Sequence, residues 1–139
     1  MKIPAVLIML LAVVIAVVPF FTNCQSEGKT LTLANGRTVP MKCLWTAMTE
    51  IAVGLPLLAV GGMLALSRRK ETRRMLGIMG VLLGAFTVLL PTTLIGVCAM
   101  PDALCNMVLR PSMIFAGNLI MLISLGTLVY SERMAEAVA

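Results

Sequence analysis

Residues 45–97 read WTAMTEIAVGLPLLAVGGMLAL, then SRRKETRR, then MLGIMGVLLGAFTVLLPTTLIGV, and this stretch decides the fold. Two apolar runs flank the segment Ser67-Arg68-Arg69-Lys70-Glu71-Thr72-Arg73-Arg74, in which five of eight residues are cationic. A hydrocarbon core about 30 Å thick is crossed by about 20 helical residues rising about 1.5 Å each. Both runs reach that length. A chain in lipid has no water to satisfy its backbone, so a run of this kind must be helical. Lys and Arg collect on the cytoplasmic side of a membrane. The stretch is therefore a helical hairpin through a bilayer, its basic turn in the cytoplasm.

The same reading extends to both sides. Ile3–Phe21 and Pro111–Tyr130 are further apolar runs, and the chain is 60% apolar, 12% charged and without histidine. A soluble domain would be nearer half apolar and about a quarter charged. The expected architecture is an all-α membrane protein, a four-helix bundle in one domain over 1–139. Its spans are 3–21, 45–66, 75–97 and 111–130. Its connections are 22–44, 67–74 and 98–110, with an inner tail at 131–139. A cleaved signal peptide at the start would have a shorter apolar core and a small-residue site. The run after Lys2 is about 18 residues long, and Phe21-Thr22-Asn23 is not such a site, so a retained helix is expected. Lys2 and Arg133 fall on the side of the basic turn, and Lys29, Arg37, Lys42 and Arg110 on the other. This bias puts both termini in the cytoplasm of a cell membrane, and it accounts for the positive charge without nucleic acid.

The first outer loop, 22–44, contains Lys29-Thr30-Leu31-Thr32-Leu33-Ala34-Asn35-Gly36-Arg37-Thr38-Val39-Pro40. Alternating Thr and Leu suit a half-buried strand, and Asn-Gly favours a two-residue type I′ turn. That turn pairs Ala34 with Arg37 and Thr32 with Val39, and Pro40 ends the ladder. A small extracellular β-hairpin cap is expected. A lone hairpin is marginal in water, so something must pin it. All four cysteines, Cys24, Cys43, Cys98 and Cys105, fall in the two outer loops, which suits two stabilising disulfides in an oxidising compartment. Three connectivities are open. The hairpin register does not put Cys24 opposite Cys43, and bridges between the two loops would tie the hairpin down.

Other chemistry is thinner. Trp45, Thr46 and Glu50 open the second span, and an ionisable group inside a membrane is a candidate site, with Lys42 or Arg110 as the nearest outer cations. Equally, an acid near a helix start is favoured by the helix dipole. Met41 and Met100 beside Cys43 and Cys98 would suit monovalent copper, but methionine is also a common apolar filler. No metal or other cofactor is expected. Gly77, Gly80 and Gly84 form a ridge for close helix packing, within the bundle or against a partner; Pro56 and Pro91 should bend their spans, and Asn118 should bond between helices. There is no phosphate loop and no histidine–carboxylate set.

Two resemblances bear on function. Four helices with two cysteines in each outer loop resemble the bacterial membrane enzymes that generate disulfides, but those carry Cys-x-x-Cys, whereas the spacings here are 19 and seven. The run Met41-Lys42-Cys43-Leu44-Trp45-Thr46-Ala47-Met48-Thr49-Glu50, with the later Cys98 and Cys105, resembles a bacterial family of small four-helix membrane proteins of uncharacterised function. The resemblance implies an accessory subunit beside ABC-type transporters. It also implies a histidine where this chain has Leu44, which removes a ligand from any metal site. The leading expectation is a non-catalytic accessory subunit whose partners are lipid and another membrane protein or a second copy. The alternative is an extracytoplasmic thiol–disulfide or copper-handling protein.

Overall fold

The computed structural model describes residues 2–22, 28 and 30–137, with residues 134–136 described by backbone alone. The helices are α1 (Lys2–Phe21), α2 (Lys42–Leu66), α3 (Lys70–Leu89) and α4 (Arg110–Glu136). π-Helical turns at Leu90–Leu94 and Cys105–Leu109 lengthen α3 and α4. All four are long and apolar enough to cross a membrane, so the chain is a multi-pass membrane protein. Helix extends further into the loops than hydropathy alone marks. α2 starts at Lys42, and the basic segment is mostly the first turns of α3, leaving Ser67–Arg69 as connector. At that turn Arg73 Nη2 donates to the Ser67 carbonyl at 2.9 Å.

The bundle consists of two hairpins, α1 on α2 and α3 on α4, closed by lighter contacts of α2 with α3 and α1 with α4. Apolar side chains gain little by leaving lipid for one another, so close backbone approach does the packing. Along α1–α2, a Cβ at Gly54 would lie 3.1 Å from that of Ala16, and one at Gly61 would meet Met9 at 2.7 Å. Along α3–α4, Gly77 faces Leu128, Gly80 faces Ser124, and a Cβ at Gly84 would lie 3.0 Å from the Gly117 carbonyl. The ridge is therefore used inside the bundle. It is not left over for a partner. Asn118 also departs from expectation. Its side chain is exposed, and its amide donates to Ile114 O of its own helix at 2.8 Å, not across helices.

Pro91 has no N–H, so the Thr87 carbonyl loses its α-helical donor. The chain answers with a π turn, in which Ile95 N and Gly96 N both donate to Leu90 O at 3.1 Å. Gly96 then takes φ +77, the left-handed conformation that ends helices, and α3 stops there.

The hairpin forms, but its register is one residue off the expected one. β1 (Leu31–Thr32) pairs antiparallel with β2 (Thr38–Val39) as Leu31 with Val39 and Thr32 with Thr38. A type I′ turn needs positive φ at both central residues, and only Gly36 has it, at +73. Gly36 N instead donates to Leu33 O and Leu33 N to Arg37 O, both at 2.9 Å, closing a three-residue loop. The strand residues are exposed on both faces, so the alternation of Thr and Leu does not bury one side.

Gly84→Leu would force α3 and α4 apart, whereas a Cβ at Gly62 meets nothing within 4 Å. Thermal unfolding in detergent should show Gly84→Leu losing about 1–3 kcal/mol. Gly62→Ala should be neutral or gain up to about 1 kcal/mol.

Candidate functional site

The inward face of α2 carries Cys43, Thr46, Ala47, Glu50, Val53, Gly54 and Leu57, spaced at three and four residues as one helix face requires. Read from the hairpin end, it presents a disulfide sulfur, a hydroxyl and a carboxyl in succession, about one turn apart. Cys43 is bonded to Cys98, a separation of 55 residues with Cα atoms 6.1 Å apart. The bond joins the start of α2 to the chain just past α3. It is a bridge between the two loops, the arrangement favoured from the sequence. Cys24 lies outside the described residues. Cys105 is buried at the start of the second π turn, its Sγ 3.4 Å from the Thr22 carbonyl at the end of α1.

One turn below Cys43, Thr46 is fully buried and its Oγ1 donates to the Gly96 carbonyl at 2.8 Å. Gly96 can offer that carbonyl because its left-handed conformation turns the chain at the end of α3. A covalent bond and a hydrogen bond thus fasten the same two segments. Glu50, one turn deeper, is fully buried, and neither carboxyl oxygen has a hydrogen-bond partner among the described residues. The expected cations do not reach it, since Lys42 and Arg110 are both exposed. A carboxyl buried without partners costs stability, and in a membrane such groups mark function.

The candidate set divides three ways. Thr46 and Glu50 stack inward. Trp45 is 62% exposed on the opposite side, one residue and about 100° of helix away from Thr46. Met41 and Met100 join the bridge. Met41 Sδ lies 3.8 Å from Cys98 Sγ, and both methionines line with Cys98 a cavity of about 520 Å³. The other methionines near these loops do not reach it: Met113 is in the core, and Met48 and Met107 face out. Gly77, Gly80 and Gly84 serve the α3–α4 contact. Sequence reasoning missed the cavity itself, which depends on where Cys98-Ala99-Met100-Pro101 runs past the hairpin, and no local pattern encodes that path.

The chain belongs to the family described as a domain of unknown function, DUF4418. The match covers residues 6–130, from the first turns of α1 to within a few residues of the end of α4. No curated protein and no solved structure matches the chain. As a DUF4418 protein it joins a family defined by sequence and not by activity, so its chemistry must be argued from its own residues.

Glu50→Leu removes an unpartnered carboxyl while keeping side-chain bulk. Thermal unfolding in detergent should show it more stable than wild type by about 1–3 kcal/mol. A destabilised variant would mean that the carboxyl holds the fold. Non-reducing peptide mapping should recover Cys43 linked to Cys98 at full occupancy.

Proposed function

We propose that this protein is a non-catalytic accessory subunit of a membrane complex, held in the cell membrane with both termini cytoplasmic and the hairpin end outside. One observation carries the reading: an exposed seam on α4. Pro111, Phe115, Asn118, Leu122, Leu125 and Val129 are all exposed, and they follow one another at alternating steps of four and three. That is the spacing of a heptad seam, the pattern by which one helix presents itself to another. Lipid would cover the apolar members equally well. It would not serve Asn118, which lies about 12 Å along α4 from Arg110 at about 1.5 Å per residue. Among the described residues its amide meets only the carbonyl of its own helix, Ile114 O. An amide facing hydrocarbon lacks hydrogen bonds, and asparagine in such a position promotes helix association.

The occupant that fits is a transmembrane helix of a partner protein with a hydrogen-bonding side chain at the depth of Asn118. An ABC-type transporter, the complex that the family resemblance implies, would offer such helices. The orientation is supported by the five cations of the α2–α3 turn.

Co-purification from native membranes in mild detergent should recover the chain in a complex larger than itself. Asn118→Leu should weaken that complex by roughly five- to tenfold, equivalent to about 1–1.5 kcal/mol, and leave the thermal unfolding of the isolated subunit unchanged. A complex containing only copies of this chain would replace the partner with a homo-oligomer. An unchanged complex would remove the seam from the reading. A reporter fused after Lys70 should be reachable only from the cytoplasmic side.

A further inference from the structure

The Cys43–Cys98 bond is asymmetric in three respects, and together they assign it a reaction. The first is access. Cys43 is fully buried, whereas Cys98 is only partly buried and lines the cavity of about 520 Å³ at the hairpin end. Leu31, Lys42, Ala99, Met100 and Pro101 line the same cavity and are all exposed, so it opens to the surface. The second is the environment of the buried sulfur. Cys43 is the second residue of α2, and its N-cap, Met41, offers no side-chain bond to the free amides of that first turn. Helix N-termini favour negative charge, and on a cysteine they favour the thiolate. The Cys98 backbone N–H also donates to Cys43 Sγ at 3.3 Å. The third is charge. Among the described residues that line the cavity, Lys42 is the cation and none is acidic.

We propose that the Cys43–Cys98 bond is an exchangeable disulfide that accepts electrons from an external dithiol, with Cys98 as the sulfur attacked and Cys43 as the leaving group. The incoming thiolate enters beside Lys42 and forms a bond to Cys98 Sγ. The Cys98–Cys43 bond breaks, and its electron pair leaves on Cys43 Sγ, where the helix amides and the Cys98 N–H receive the charge. The second thiol of the reagent attacks the reagent's own sulfur in the mixed disulfide and releases Cys98. The two protons given up by the dithiol end on Cys43 and Cys98. The protein gains two electrons, the dithiol becomes a disulfide, and the reverse reaction restores the bridge. Exchange depends on which sulfur can be reached and on how well the other one leaves, and the two requirements fall here on different cysteines. Met41 Sδ, 3.8 Å from Cys98 Sγ, sits on the attacked side and keeps that sulfur in a soft, apolar surround.

The test uses the oxidised full-length protein in detergent. Glutathione, a monothiol, should stop the reaction halfway, and peptide mapping should place the adduct on Cys98 with Cys43 free to alkylation. Dithiothreitol should reduce the bond completely while the helical circular-dichroism signal persists. Single variants supply a second readout. The maleimide reaction of Cys98 in Cys43→Ser should be at least roughly tenfold faster than that of Cys43 in Cys98→Ser, because only the former faces the cavity. An adduct on Cys43, the opposite order of labelling, or a bond that opens only as the helical signal is lost would each overturn the proposal.

Discussion

A helix in lipid gains little by exchanging one apolar surround for another, so the fold depends on how closely its backbones can approach. Gly84 and Gly117 meet where α3 and α4 touch, and Gly54 lies against Ala16 where α1 and α2 touch. These contacts admit no larger side chain without displacement. They create two tight hairpins, which still have to be held to each other. The α2–α3 and α1–α4 contacts are lighter, and at the hairpin end covalent and polar links supplement them. The Cys43–Cys98 bond and the hydrogen bond from Thr46 to Gly96 both join α2 to the end of α3.

Three polar groups within the spans have different fates, and the differences separate structure from function. Thr46 is buried and paired, so it serves packing. Asn118 is exposed and bonded only to its own helix among the described residues, which makes it costly in lipid and is why the proposed partner helix is set against it. Glu50 is buried without a hydrogen-bond partner among the described residues, which serves neither packing nor assembly. That uncompensated cost separates it from the other two. Ser124 Oγ is also buried and without a hydrogen-bond partner among the described residues, but a neutral hydroxyl at the crowded Gly80 contact costs far less than a carboxyl.

The four spans could be read from the sequence because hydrophobic length and cation placement are local properties. The contacts between them could not. Gly77, Gly80 and Gly84 announce a close approach, but the same pattern fits a helix of the bundle or of a partner, and only the position of α4 decides. Glu50 near the outer end of its span, with Lys42 and Arg110 as the nearest outer cations, suggests an ion pair. Helix geometry turns Glu50 inward and leaves both cations out. The hairpin was legible as an element but not in register, because Asn35-Gly36 permits two turn types and only backbone φ distinguishes them. The cysteine bond between loops was one of several open connectivities, and its environment, the cavity with Met41 and Met100, depends on loop paths that no periodicity records.

The two ends of the bundle are fastened by different means, and the difference bears on what each can do. At the basic end, Arg74 and Glu132 form an ion pair at 3.5 Å between side chains that are both more than half exposed. Such a pair contributes little and is screened by salt, so that end is held mainly by the glycine contacts below it. At the hairpin end the link is covalent, and one of its two cysteines lines an open cavity. A bond serving only to hold the helices would be safer with both sulfurs enclosed, as Cys43 is. The Thr46–Gly96 hydrogen bond joins the same two segments one turn deeper, so breaking the sulfur bond need not part α2 from the end of α3. A covalent link backed by a non-covalent one can be opened and closed while the bundle stays assembled.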